Sequence, residues 1–304
     1  REMAGKGEWE NVKKITKGFN PMMTRIRKED GTVATSEEWV DVVAQYYSKS
    51  QWGTPTGGPP KQRPPMFRTV AQIETGRITR EELETAIKKL KRKKARGTDG
   101  IPNEIWKMLL VEPNRKEQAT QEGQRESQLN EKILEAILKI LNEIHTEKKM
   151  PECWEEAEIV AIFKSGAVTD PGRYRPISLL NTGYKIYTQI LQKRLAKGLD
   201  ARLRPTQFGF RQKKSTVEAI AALRRLLEML TNSDREDEIH LVLVDWEKAF
   251  DKVSHPGLMS ALTRIGIPTD CIRSIQMLYN KPRFRVKRGG QKSDWKTAQT
   301  GIRQ

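Results

Sequence analysis

The sequence predicts an α+β fold, largely helical, with short antiparallel strands set between the helices. Three observations carry that prediction. Apolar residues recur at helical spacing behind Ser/Thr-x-x-Glu capping boxes; two short extended segments flank a Lys164-Ser165-Gly166 turn; and the run Ile239-His240-Leu241-Val242-Leu243-Val244 is almost continuously apolar.

Residues 1–75 are polar and irregular apart from Thr35 to Tyr47, where Thr35 and Glu38 form a capping box ahead of Trp39, Val42, Val43 and Tyr46, the pattern of an amphipathic helix. Gly53 to Pro65 concentrates Pro55, Pro59, Pro60, Pro64 and Pro65 with Gly57 and Gly58, a composition that reads as a linker and places a boundary nearby. Thr79 with Glu82 opens another helix, marked by Leu83, Ala86, Ile87 and Leu90. It is expected to run on through Lys88, Lys89, Lys91, Arg92, Lys93, Lys94 and Arg96 and to stop at Gly97. So many like charges repel unless an anion lies beside them, and two readings are equally good: a solvated helix end complementing the C-terminal dipole, or a direct phosphate contact.

Ile133, Leu134, Ile137, Leu138, Leu141 and Ile144 mark a core helix over Asn130 to Ile144. Glu158 to Phe163 reads as a strand that returns, through a turn at Lys164 and a loop at Pro171-Gly172, as an extended piece over Ile177 to Leu180, together a hairpin. Asn181 to Leu195 is a further helix, and Ser215 with Glu218 caps one that reaches Leu230. After a polar break at Asn232 to Asp237, the Ile239–Val244 run ends in Asp245, and its unbroken hydrophobicity is that of a strand covered on both faces. Two short helices follow around Pro256 to Ile265 and Pro268 to Tyr279, with Gly266 between them, then a hairpin from Arg283 to Val286 turning at Gly289-Gly290.

Fifty-six Lys and Arg against 39 Asp and Glu give a formal charge of +17, which suits a polyanionic partner but also a merely soluble or ribosome-like basic protein. The two cysteines, Cys153 and Cys271, lie far apart without histidines at metal spacing, so neither a disulfide framework nor a zinc site is indicated, and a reducing compartment fits best. No apolar run approaches the roughly eighteen residues of a membrane span. The chain opens on Arg1 and closes on Gln304 in mid-pattern, so both ends read as cuts in a longer protein.

Three constellations carry chemistry. Asp245-Trp246-Glu247-Lys248-Ala249-Phe250-Asp251 sits where the apolar run ends, and a carboxylate at the end of a central strand is well placed to hold Mg²⁺, although an aspartate there is more often a turn or cap residue. The loop from Lys164 to Arg175, with Arg173 and Tyr174, could clamp a triphosphate, arginine as a bidentate fork and lysine as a point charge, or could be surface decoration; the two are evenly matched. Gln207-Phe208-Gly209-Phe210-Arg211 with Lys213 and Lys214 suits contact with a nucleic-acid strand, while at least one of the two phenylalanines is expected to plug the core.

Taken in order, Lys94-Ala95-Arg96-Gly97-Thr98-Asp99-Gly100-Ile101-Pro102-Asn103-Glu104, Trp154 to Lys164, Tyr174-Arg175-Pro176-Ile177-Ser178-Leu179-Leu180-Asn181, Gln207 to Arg211, Asp245 to Asp251 and Gly301-Ile302-Arg303-Gln304 closely resemble the reverse transcriptases of non-LTR (LINE-type) retrotransposons. The resemblance spans roughly residues 80 to 304 and implies a right-hand polymerase: 1–75 as the connector that follows an upstream endonuclease, 76–236 as fingers, and 237–304 as the first part of the palm. It implies that Asp245 binds both catalytic Mg²⁺ ions with help from the Trp246 carbonyl, that Phe250 is the steric gate against a ribose 2′-hydroxyl, that Lys164 and Arg175 grip the incoming triphosphate, and that Gln304 belongs to a Gly-x-x-Gln-Gly motif at the nascent pair. Lys91, Arg92, Lys93, Lys94, Arg96, Arg173, Gln207, Phe208, Gly209, Arg211, Lys213 and Lys214 become the expected nucleic-acid contacts.

The implied partners are an RNA template, a DNA primer and deoxynucleoside triphosphates, with other chains of a ribonucleoprotein and no membrane. The implied location is the nucleus or cytoplasm, or an organelle for a co-opted element. The family's remaining two metal-binding aspartates belong to a Tyr/Phe-x-Asp-Asp motif that does not occur here, so the chain is expected not to polymerise unaided, and a strand at Ile239–Val244 would have unpaired edges. The alternative is a non-catalytic basic RNA-binding component of a ribonucleoprotein, derived from a retroelement.

Overall fold

In the computed structural model, which describes residues 25–55, 63–111, 120–231 and 240–302, the three capping boxes read from the sequence are made. Thr79 and Glu82 exchange both hydrogen bonds ahead of α2 (Arg80–Lys89). Thr35 and Glu38 do so at 2.8 and 3.3 Å, one turn ahead of α1 (Trp39–Tyr46). Ser215 and Glu218 do so at 2.7 and 3.4 Å ahead of α7 (Thr216–Thr231). Each box satisfies backbone N–H groups that a helix start leaves without partners. Between α2 and α7 run α3 (Asn103–Met108), α4 (Gln121–Glu147), the single turn α5 (Glu152–Glu155) and α6 (Thr182–Leu199). The pair α8 (His255–Ile265) and α9 (Thr269–Leu278) follows, with Gly266 in the left-handed conformation between them. Among the described residues, no helix is long and apolar enough to cross a membrane.

The strands are β1 (Glu156–Phe163), β2 (Tyr174–Leu179), β3 (Arg283–Arg288), β4 (Gln291–Lys292) and β5 (Lys296–Thr297), in the order β2-β1-β3-β4 with β5 also on β3. The expected hairpins are present: β1 and β2 are antiparallel from Glu158 opposite Leu179 to Phe163 opposite Tyr174, and β3 turns back into β4. The expectation of antiparallel strands throughout is corrected, because the central pair is parallel, Ala157 standing opposite Phe284 and Ile159 opposite Val286. Alternate residues of a strand face opposite sides. Ala157, Ile159, Phe284 and Val286 therefore form one buried face.

That face is covered by the amino-terminal segment. Trp39 meets Tyr174 edge to face at 5.8 Å, Tyr47 donates its hydroxyl to the Tyr174 carbonyl at 3.2 Å, and Trp52 packs on Phe284 with ring centres 4.7 Å apart. The packing crosses the 75/76 division expected between connector and fingers, and large aromatic areas removed from water dominate it. On the far side α2 is tied to α6 by Arg194, whose guanidinium forks onto Glu82 at 2.6 Å and donates to the Gly76 and Arg77 carbonyls.

Three further expectations are corrected. The basic stretch is not a helix end: α2 stops at Lys89, Leu90 turns to extended backbone and Lys93 is left-handed at φ 56°. The cause is capture by α3 and α6, since Asn103 donates to the Lys91 carbonyl, Glu104 accepts from the Lys93 N–H at 2.6 Å, and Asn103 itself accepts from Thr182. Second, no strand forms over the described part of the apolar run, 240–244. Leu241, Val242, Leu243 and Val244 are 54%, 81%, 85% and 76% exposed, so the run is not covered on either face; Ile239 lies outside the described residues. Third, neither Phe208 nor Phe210 plugs the core: the first is half-buried and the second 96% exposed.

Candidate nucleic-acid and nucleotide site

The basic loop after α2 is the most firmly built of the expected contact regions. Asn181, at the start of α6, accepts from the Thr98 hydroxyl and the Asp99 N–H while donating to the Cys153 carbonyl. Gly97 is required there, because a Cβ on it would lie 2.5 Å from the Asn181 backbone nitrogen. Lys91, Arg92, Lys93, Lys94 and Arg96 are all exposed on this pinned loop.

The β1–β2 hairpin presents the second set. Arg175 stands opposite Ile162, and Lys164 lies two residues beyond Ile162 on the same strand direction, so both point away from the aromatic core. Lys164 donates its backbone N–H to the Arg173 carbonyl at 2.9 Å, which closes the turn, and Arg173 pairs with Asp170 at 3.3 Å. Lys164, Arg173 and Arg175 are exposed.

In the third set Arg211 acts as a local staple: its guanidinium binds the Asp200 carboxylate at 2.9 Å and the carbonyls of Asp200 and Arg204. Gln207 donates to the Gly209 carbonyl, and Lys214 lies over the Phe208 ring at 5.5 Å. Lys213 is exposed and left-handed, at φ 57°. Phe210 reaches across to Phe250, ring centres 6.0 Å apart and edge to face, so the structure joins this segment to the Asp245–Asp251 turn.

That turn is clamped from two directions. Lys248 donates to the Tyr46 hydroxyl at 3.0 Å, and the Trp52 indole N–H donates to Asp251 Oδ1 at 3.1 Å. Burial raises the Asp251 carboxyl above its usual range, with the Trp52 bond working against the rise. From the other side Ile302 donates to the Phe250 carbonyl at 3.0 Å, Gly301 to the Val253 carbonyl at 2.8 Å, and the Thr300 hydroxyl to the Asp251 carbonyl. Gly301 takes φ 85° and sits so close that a Cβ would come 2.8 Å from the Asp251 carbonyl oxygen. Gln304 lies outside the described residues.

Asp245 itself is exposed and accepts from the Trp246 N–H at 2.9 Å, a local cap rather than part of a carboxylate cluster. Among the described residues, neither Lys164 nor Arg175 hydrogen-bonds or ion-pairs with it, and no three acidic, histidine or cysteine side chains converge as metal ligands. One carboxylate and a peptide carbonyl fall short of the donors a magnesium pair needs beside substrate phosphates, so the described residues do not by themselves fit that group.

Residues 162–304 match the family model for reverse transcriptase (RNA-dependent DNA polymerase). A probable RNA-directed DNA polymerase from transposon BS of Drosophila melanogaster is 34% identical over 188 residues, 61% of this chain and 18% of that protein. Over these residues the chain is similar to the RNA-directed DNA polymerases of non-LTR retrotransposons. The polymerase of the mobile element jockey from the same fly is 28% identical over 231 residues, 75% of this chain and 23% of its own length. The Pol polyprotein of the R2 element of Popillia japonica is 31% identical over 120 residues, 39% of this chain and 16% of its own length. The chain thus spans less than a quarter of these curated relatives. The family match takes in the β1–β2 hairpin cations, the Gln207–Lys214 segment and the Asp245 turn, and begins after the basic loop.

Sequence reasoning missed Tyr46 and Trp52, which sit in the expected connector yet hold the Asp245–Asp251 turn, and it missed Glu158 with Arg285, Lys287 and Lys292. A signal existed for Glu158: it is a charged residue in an otherwise apolar strand.

Proposed function

We propose that this chain supplies the fingers and the first part of the palm of an RNA-directed DNA polymerase of a non-LTR retrotransposon, acting within a protein as long as its relatives. The observation that carries the proposal is the packing of two motif segments far apart in sequence: the Asp245–Asp251 turn lies on Gly301-Ile302, with Phe210 and Trp52 at its flanks. In this reading the turn and the Gly301 segment form one wall of the nucleotide site. Phe250 faces the sugar, and Lys164 and Arg175 meet the triphosphate. Gln304 lies at the nascent pair.

Asp245 and the Trp246 carbonyl would hold Mg²⁺ once further carboxylates are brought to them, and the metal would supply charge stabilisation for nucleotidyl transfer. The chain's own contribution is placement: the clamp on residues 248–251 holds Phe250 against the Gly301 segment, a few residues beyond Asp245. RNA template, DNA primer and deoxynucleoside triphosphates are the proposed partners, inside the cell.

Primer extension on an RNA template, in a protein carrying this chain at the length of its relatives, tests the assignment. Asp245→Asn is expected to abolish extension while nucleic-acid binding persists; extension by that variant would remove Asp245 from the mechanism. The second reading, a non-catalytic RNA-binding component, is favoured by the local cap on Asp245 and the cationic surface, and it predicts that Asp245→Asn leaves every function of the protein unchanged.

A further inference from the structure

The outer face of the sheet carries an arrangement that none of the expected contacts include. Parallel pairing of β1 and β3 sets Glu158 opposite Arg285, and the β4 return brings Lys292 alongside. Glu158 is 4% exposed and meets three cations, Arg285 at 2.6 Å and Lys287 and Lys292 each at 3.0 Å. Burial alone would raise this carboxyl, but hydrogen bonds from Lys292, Arg285 and Lys287 outweigh it and hold it at about 2. One carboxylate cannot neutralise three cations, and their side chains keep 23%, 38% and 41% exposure. Arg285 is further fixed over the Trp295 ring at 4.5 Å. The lysine ammonium groups each have three donors, so both retain N–H groups to offer.

Across from them stands the pinned basic loop. Lys94 and Arg96 line, with Glu158, Lys287 and Lys292, an open cleft of about 430 Å³. Among the described residues, neither Lys94 nor Arg96 has a hydrogen-bond or ion-pair partner in the protein. Cations therefore line one open cleft from two sides, on segments held separately by Asn181 and by Glu158. Like charges gathered around one cleft repel unless an anion lies among them.

We infer that this cleft is a two-walled clamp for the phosphodiester backbone of a single nucleic-acid strand, the β3–β4 hairpin forming the second wall and buried Glu158 acting as the positioning residue that aims Lys287 and Lys292 into the gap. The inference rests on the polymerase reading above and adds to it where a strand is held, by cations outside the Asp245 turn and the β1–β2 hairpin.

The test is fluorescence anisotropy of an end-labelled single-stranded oligoribonucleotide against the purified chain across a salt series. Wild type is compared with Lys287→Ala/Lys292→Ala, with the charge-retaining Lys287→Arg/Lys292→Arg, and with Lys132→Ala/Lys139→Ala on the exposed face of α4, which removes the same charge elsewhere. The alanine pair in the cleft is expected to weaken binding about tenfold near 0.1 M salt and to lower the slope of log K against log salt by about 1.4, from roughly 0.7 per phosphate on a single strand. The arginine pair should bind like wild type, and the α4 pair should shift affinity far less. Equal losses for the cleft and α4 pairs would overturn the clamp while leaving the polymerase reading in place. A wild-type chain that does not bind the oligonucleotide at all would overturn both.

Discussion

Two stretches of this chain carry strand-like sequence and end differently. Residues 156–163 alternate, with Ala157, Ile159, Ala161 and Phe163 on one side and Glu156, Glu158 and Ile162 on the other, and they sit between β2 and β3 with the alternating face buried. Residues 240–244 are more hydrophobic yet form no ladder and expose most of their side chains. The difference teaches that hydrophobicity measures the gain available from burial, while a strand needs backbone partners for its N–H and C=O groups. The alternating stretch has partners on both edges. Among the described residues, Leu241 to Val244 pair with no strand.

Substitution should separate the two regions sharply. Ile159→Ala, at a position 1% exposed, is expected to destabilise by about 2–5 kcal/mol in chemical unfolding. A loss below 1 kcal/mol would mean that the sheet core is loosely packed.

Gly97→Ala comes next, at about 1–3 kcal/mol, because the new Cβ meets backbone at Asn181 and the basic loop must move. A matching loss of oligonucleotide affinity would tie the loop's position to binding.

The outer face makes its own prediction in acid. The Glu158 carboxyl is held at about 2 in the folded protein against an ordinary 4.5, so its contribution is present above pH 4.5 and disappears as pH falls towards 2. His145, buried against Tyr187 and the Thr75 carbonyl, is depressed below 6.5 by burial, so its share of acid destabilisation begins earlier, below pH 6.5. Thermal melts from pH 7 to 3 should therefore fall in two stages, and Glu158→Gln should flatten the lower one. A single stage unaffected by that variant would remove Glu158 from the account.

Thr79→Ala, which breaks the capping box of α2, should cost about 1 kcal/mol. Val242→Ala in the apolar run should stay within about 0.5 kcal/mol, as for exposed positions generally. A large loss at Val242 would show the run buried in solution and would erase the contrast between the two regions.

Much of the fold was legible before any coordinates. Capping boxes at Thr35, Thr79 and Ser215 and the β1–β2 and β3–β4 turns are local chemistry, decided by residues within a few positions of each other. The failures share the opposite character. The basic loop looked like a helix end because its captors, Asn103, Glu104 and Asn181, act from up to 83 residues along the chain. The candidate site was legible as motifs in order, which the family match supports, but not as geometry: Arg211 turned out to be a staple on Asp200, and the clamp on Asp251 came from Trp52.

By itself the sequence determined the three capping-box helix starts, the two hairpins, the cationic character and the resemblance to non-LTR reverse transcriptases, because each is written in short-range pattern or in motif order. Only the tertiary structure decided the parallel β1–β3 pair, the exposure of the apolar run and the meeting of basic loop and β3–β4 hairpin around Glu158. Those outcomes depend on which distant segment supplies a backbone partner or a countercharge, and that choice is made by the competition among all burial options of the folded chain rather than by any one stretch of it.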